Sequence, residues 1–212
     1  MKLQRITHRS WEIKWNASIG VSLSQLILAF WKLSNQWAKL QNHQGVEFIP
    51  GLQSLAIQLS SDEFIIAQSW YDFLSQQDSP NQMEAFFKDS RIWNVEVSYQ
   101  GEDLKMLSLE LGLSIDDIIQ IHTTPIYFVS MIGFKPNFPY LWGLDSRLNI
   151  SRRSSPRSSV PKGSVAIAAG QCGIYPESSP GGWHLLGNTS IELIQGIEPG
   201  DQIKFKRVSN DY

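Results

Sequence analysis

Apolar residues recur along this chain at two different periods, and the period changes part-way. In the window 21–37, Leu23, Leu26, Ile27, Phe30, Leu33 and Trp37 fall at helical spacing, which predicts an amphipathic helix laying one stripe on a sheet. Before it, 3–6 and 12–15 read as short strands; after it, 46–49 and 55–59 read as two more, separated by the Pro50-Gly51 turn signal. Ser60-Ser61-Asp62-Glu63 has the form of a capping box opening a second helix, with Phe64, Ala67, Trp70, Tyr71 and Leu74 on its apolar face. This first part reads as a small α/β sandwich.

A polar stretch, 76–81, contains Asp78-Ser79-Pro80 and predicts a domain boundary between about 76 and 90, with one domain over 1–88 and another over 89–212. Beyond it, 92–99 alternates as a strand. A helix follows over about 103–111, stopped by Gly112, and Ser114 with Asp117 caps a shorter one that ends before Pro125. From Ile126 the helical period vanishes. The β-rich runs 127–132, 164–168, 191–194 and 202–208 lie between Gly, Pro and Ser turns, which predicts a closed or nearly closed β-barrel with long loops. The fold class is therefore α+β.

Composition narrows the function classes. With 212 residues, 42% hydrophobic side chains and a formal net charge of −2, the chain can bury a core but has no basic footprint for nucleic acid or an anionic membrane. Ser22, Ser24, Gln25, Lys32, Ser34, Asn35 and Gln36 interrupt the most apolar window, so it falls short of the roughly 20 apolar residues of a membrane span. Cys172 stands alone and the N-terminus shows no export signal, so no internal disulfide forms and a cytoplasmic location is expected. His8, His43, His122 and His184 lack zinc spacing, and neither a Walker loop nor a Gly-x-Gly-x-x-Gly fingerprint is present. No metal set is expected, and a nucleotide would be held another way or by another chain.

Candidate chemistry concentrates in 124–189. Gly133-Phe134-Lys135-Pro136-Asn137-Phe138-Pro139-Tyr140-Leu141 joins stiff prolines to aromatics, as a ligand wall needs, although a rigid plug for a barrel end has the same composition. Arg152, Arg153, Arg157 and Lys162 sit among Pro156, Pro161 and serines; arginines on a stiffened loop can fork onto a carboxylate or phosphate, while a solvated charge run remains the plain alternative. Gln171-Cys172-Gly173-Ile174-Tyr175-Pro176 precedes Ser179-Pro180-Gly181-Gly182-Trp183, where a Gly-Gly pair permits positive φ and amides aimed at an anion beside Trp183, or simply makes a turn. His122, near a helix end, is an acid/base or a capping residue. Cys172 has no readable base beside it and is expected to be inert packing.

Read together, Gly133-Phe134-Lys135-Pro136, Phe138-Pro139-Tyr140-Leu141, Pro156-Arg157, Val160-Pro161-Lys162-Gly163-Ser164-Val165-Ala166-Ile167, Gly173-Ile174-Tyr175-Pro176 and Ser179-Pro180-Gly181-Gly182-Trp183 resemble the family of the 5-oxoprolinase B subunit. That family is also described as allophanate hydrolase subunit 1 or sporulation-kinase inhibitor. The resemblance implies a cyclophilin-like barrel for the second domain. It also implies a non-autonomous component, inactive alone, that works directly with the 5-oxoprolinase C subunit, and with the A subunit, to open 5-oxoproline to glutamate at the expense of ATP, bound by the complex. The chemistry of the residues themselves makes Arg153, Arg157, Lys162, Gln171, Gly181 and Gly182 candidate substrate or anion donors, Phe134, Phe138, Tyr140, Tyr175 and Trp183 a candidate pocket wall, and His122 a candidate acid/base. One branch of the family implies instead an inhibitor that binds a sensor histidine kinase through the barrel; a further relation implies a carboxyltransferase-type component related to urea carboxylase. The sequence departs from the family's pattern at Asn137 (usually Gly), Ser151 (Pro), Cys172 (Thr) and Asn188-Thr189-Ser190 (Arg-Thr-Pro).

Overall fold

The structure, a computed structural model, describes residues 2–16, 21–61, 63–76 and 90–208. The chain divides into two compact units, Met1–Ser90 and Arg91–Tyr212. Asp62 of the expected capping box, and Asp78-Ser79-Pro80 of the expected linker, lie outside the described residues.

In the first unit, β1 (Lys2–Thr7), β2 (Ser10–Lys14), β3 (Val46–Pro50) and β4 (Ser54–Leu59) form an antiparallel sheet in the order β1-β2-β4-β3. Helix α1 (Val21–Leu40) buries Leu23, Ile27, Phe30 and Trp37, with Leu26 and Leu33 partly buried beside them, against Trp11, Ile13, Phe48, Leu55 and Ile57 of the sheet. Helix α2 (Phe64–Ser75) adds Ala67, Trp70 and Leu74. The expected capping box is not formed as read: Glu63, not Ser60, is the N-cap, and its side chain makes no capping hydrogen bond, while the Ser61 hydroxyl donates to the Glu63 carboxylate.

The second unit is built on a seven-stranded sheet ordered β12-β9-β10-β7-β6-β13-β5, where β5 is Ile92–Val97, β6 Tyr127–Ile132, β7 Pro139–Trp142, β9 Ser164–Ala168, β10 Gln171–Ile174, β12 His184–Asn188 and β13 Gln202–Arg207. Its pairs are antiparallel except β5 with β13. The two edges meet: Ser98 and Asn188 exchange backbone hydrogen bonds of 2.9 and 3.0 Å, so the sheet is a nearly closed barrel. Closure requires glycine, since a Cβ on Gly187 would stand 2.3 Å from the Ser98 carbonyl and one on Gly101 2.1 Å from that of Leu185. The expected α+β class, a sandwich followed by a nearly closed barrel, is the architecture found.

Helices α3 (Leu104–Leu111) and α4 (Ile115–Thr123) follow β5; Gly112, at φ 64°, ends the first, and Ser114 and Asp117 cap the second reciprocally. The barrel core joins Val95, Tyr127, Val129, Leu141, Val165, Ile167, Cys172, Ile174, Leu186 and Phe205 with Ile118 and Ile121 of α4. On the other side of β7, β9 and β10 a second, smaller core gathers Phe138, Val160, Ala166, Ala168, Tyr175, Trp183 and Leu185. It is covered by a two-stranded ribbon of β8 (Arg157–Val160) and β11 (Ser179–Gly181). With both faces of β9 packed, all five of its residues are buried, which explains its unbroken apolar run. The run 191–194, expected as a strand, is a 3-10 turn. Its β-branched residues favour strands, but Ile191 and Ile194 are three apart and a 3-10 turn places both on the core side.

Candidate functional site

The outer face of the barrel carries a cavity of about 260 Å³ lined by Phe134, Phe138, Tyr140, Arg152, Arg153, Pro156, Tyr175, Pro180, Gly181, Gly182 and Trp183. All five aromatics expected as a wall come together here. Phe138 is the hub. Its ring meets Phe134, Tyr175 and Trp183 edge to face, at 5.5, 5.1 and 5.9 Å between centroids, the arrangement that aromatic quadrupoles prefer. Gly173 of β10 makes room beneath, as a Cβ there would be 2.9 Å from Phe138 and 3.0 Å from Trp183. The loop before β7 turns twice through the left-handed region, at Phe134 (φ 68°) and Asn137 (φ 64°), which leaves Phe134 56% exposed at the rim. Asparagine tolerates that conformation better than most residues, so Asn137 can hold the loop geometry that the Gly expected at this position would also allow.

Behind the wall lies an ion cluster centred on Asp103, whose side chain is only 5% exposed. Its carboxylate accepts from Arg157 Nη2 at 2.8 and 2.9 Å, from Arg153 Nη1 at 3.1 Å and from the Leu185 amide at 2.7 Å. Burial pushes the Asp103 carboxyl up, but the Arg157 hydrogen bonds, the Leu185 amide and the two guanidinium charges together outweigh it and hold it below its ordinary value. Arg157 is pushed the other way: its burial opposes the charge, and the bonds to Asp103 and the nearby Glu102 more than restore it.

The expected donors therefore separate. Arg153 lines the cavity but shares its guanidinium with Asp103. Arg157 is not part of the lining; it is committed to Asp103 and, at 3.4 Å, to the Trp183 carbonyl. Neither Gly181 nor Gly182 has a positive φ, and Gly181 pairs in register with Arg157 inside the ribbon. Gly181 is required for a different reason, since a Cβ there would come within 2.3 Å of the Tyr175 hydroxyl. Lys162 lies outside the lining, on the turn between β8 and β9. Gln171 is buried on β10, also outside the lining, with no acceptor for its Nε2 among the described residues.

His122 belongs to the barrel core rather than to this wall. Its Nδ1 lies 2.7 Å from the Tyr99 hydroxyl and its Nε2 3.4 Å from Cys172 Sγ. Burial lowers its pKa to about 3, so the ring is neutral near pH 7. Burial pushes the Cys172 thiol up, which leaves it a packed, protonated neighbour. Asn188 lies away from the cavity too, in a separate cleft of about 250 Å³ at the barrel seam, and its Nδ2 donates to the Lys162 carbonyl. Ser190 has φ −73°, a value that the proline expected from the family's pattern would also adopt.

Two residues of the site were not singled out by sequence. Asp103 was legible only as the start of a helix. Arg152 was visible in the cationic cluster but not separable from Arg153 and Arg157. In the structure it is exposed, lines the cavity and lies over the Trp183 ring at 5.9 Å.

Comparison with known proteins places this architecture. The 5-oxoprolinase B subunit of Escherichia coli O157:H7 is 33% identical over 191 residues, covering 82% of this chain and 83% of its own. The 5-oxoprolinase B subunit of Bacillus subtilis strain 168 is 43% identical over 140 residues, 61% of this chain and 58% of its own. The crystal structure of TTHA0988, 25% identical, superposes with a TM-score of 0.76 over 95% of this chain, which spans 40% of that longer one. Kluyveromyces lactis urea carboxylase, 16% identical, shares the fold with a TM-score of 0.70 over 99% of this chain, which spans 22% of it. The model of the carboxyltransferase domain, subdomain C and D, matches residues 1–199, and the chain belongs to that family.

Proposed function

We propose that this chain is a subunit, inactive alone, of an ATP-dependent 5-oxoprolinase that opens 5-oxo-L-proline to L-glutamate together with an A subunit and a C subunit in the cytoplasm. The observation that carries the reading is the similarity, over most of the chain, to proteins named as the B subunit of 5-oxoprolinase. The aromatic cavity supports it. At about 260 Å³ it lies below the roughly 300–1,000 Å³ of drug-sized ligand sites, a size suited to a small lactam. A lactam carbonyl is a poor electrophile until its oxygen is activated and the resulting anion is met by fixed donors. The lining offers arginines for that purpose but no carboxylate or imidazole to act as a base. In this reading the base comes from another chain of the assembled complex, which also binds the ATP.

A second reading, a carboxyltransferase-type subunit, is favoured by the family model and by the fold shared with urea carboxylase. It requires biotin to arrive on another protein, since Leu104-Lys105-Met106 is the nearest echo here of a biotinyl-lysine motif. The deciding experiment is co-purification with the C subunit, followed by assay with the A subunit for glutamate release from 5-oxoproline with and without ATP. ATP-dependent glutamate, absent for any chain alone, is the expected result. A stable complex with no turnover, but with carboxyl transfer from carboxybiotin, would replace the first reading by the second. No complex at all would overturn both and favour the histidine-kinase inhibitor.

A further inference from the structure

The cavity brings two arginines to an aromatic wall, and their circumstances differ. Arg153 donates Nη1 to Asp103 and its Nε to the Ser155 carbonyl at 3.4 Å. Arg157, just behind, is spent on Asp103, with Glu102 at 3.5 Å. Arg152 has no carboxylate or carbonyl partner among the described residues, although it lines the same cavity. Its guanidinium is held instead over the face of Trp183, at 5.9 Å from the ring centroid. A guanidinium so placed keeps its planar fork of donors free while the ring limits where it swings.

The surroundings are complementary to an anion. No Asp or Glu is in the lining, and the nearby Asp103 is turned away into its own two arginines. Burial raises the Tyr140 and Tyr175 phenols above their ordinary values, against the charge of Arg152, so both remain neutral hydroxyls. The remaining wall is aromatic and set edge to face, which accepts a flat ring better than a branched chain.

We propose that Arg152 is the anion anchor of this cavity, and that its ligand is a small planar ring carrying a carboxylate, the ring lying among Phe134, Tyr140 and Trp183 while the carboxylate takes the free guanidinium fork. The proposal rests on the reading of the cavity as the 5-oxoproline site, whose substrate has this form, but it is tested separately. The full chain is titrated with 5-oxoproline and with pyrrolidin-2-one, the same lactam without the carboxylate, by ligand-observed NMR and calorimetry. The wild type is expected to prefer 5-oxoproline. Arg152→Gln is expected to weaken 5-oxoproline by about tenfold or more, the loss of one charge-assisted contact, and to leave pyrrolidin-2-one unchanged. Arg147→Gln, an exposed arginine bonded to Asp145, serves as the control and should alter neither.

Equal binding of 5-oxoproline by wild type and Arg152→Gln, or no binding of it to the full chain, overturns the anchor. If the complex then still releases glutamate, the 5-oxoprolinase reading survives without it. If Arg152→Gln abolishes carboxylate binding but the complex releases no glutamate, the anchor stands and the 5-oxoprolinase reading falls.

Discussion

The two faces of the β7-β10-β9 sheet are built from neighbouring residues of the same strands, yet they are different materials. Inward, Leu141, Cys172, Ile174, Val165 and Ile167 pack with mostly aliphatic neighbours, and with Tyr127 and Phe205, into a closed core. Outward, Phe138, Tyr140, Tyr175 and Trp183 leave space between large rings, and small residues, Ala166, Ala168 and Gly173, provide the floor. Polar groups follow the same division. The inner face holds a neutral histidine between Tyr99 and Cys172, while the outer face has a charged cluster behind it and, at its rim, an arginine with no carboxylate partner among the described residues. Aliphatic side chains fill volume without gaps, whereas rigid rings on a small-residue floor cannot, so the one face maximises packing and the other preserves a cavity.

The largest test of that contrast is Asp103→Ala. It strips the partner from Arg157, whose side chain is 13% exposed, and leaves that charge partly buried, a loss of about 3 kcal/mol. Urea denaturation should show it as a lower midpoint. The outer cavity should lose ligand binding as well, because Arg153 and the ribbon are released; an unchanged midpoint would mean that the cluster is not what braces the outer face.

The next effect belongs to the inner face. His122 is lowered from 6.5 to about 3 by burial, so the unfolded chain binds a proton that the folded one refuses. Stability from this group is therefore complete above about pH 6.5 and falls as the pH drops from there toward about 3. Between pH 7 and pH 5 the loss should be about 2 kcal/mol. His122→Gln should flatten that slope, and Asp103, whose depressed carboxyl acts only as the pH falls through the carboxylate range, should not contribute in the same window.

The smallest is Gly173→Ala. Its Cβ would press on Phe138 and Trp183, at 2.9 and 3.0 Å, from the floor beneath them, so the expected cost is about 1 kcal/mol with a disproportionate loss of ligand affinity. An equal loss of stability and no change in binding would show that the rings move freely and that the cavity is not pre-formed.

Legibility followed the range of the interactions. The Leu23-to-Trp37 stripe, the Ser114–Asp117 cap and the Gly112 stop were readable because each depends on neighbours within a turn or two. The aromatic wall was also readable, since Phe134, Phe138, Tyr140, Tyr175 and Trp183 sit in short Pro- and Gly-rich segments. The 3-10 turn at Ile191–Ile194 was misread because strand propensity and a three-residue spacing compete over so few residues.

Pairing across long separations was not readable. Asp103 meets Arg157 fifty-four positions away, and nothing local to either residue says which arginine the carboxylate takes. What the sequence by itself determined is therefore the order of the elements, the α+β class, and the residues from which a site would be drawn. Tertiary structure alone decided which of them face one another: that Arg157 is spent on a buried carboxylate, that His122 is held neutral in the core, and that Arg152 lies over Trp183. The reason is physical. Propensity and capping act within a few residues, whereas burial and charge pairing depend on which distant segments barrel closure brings together.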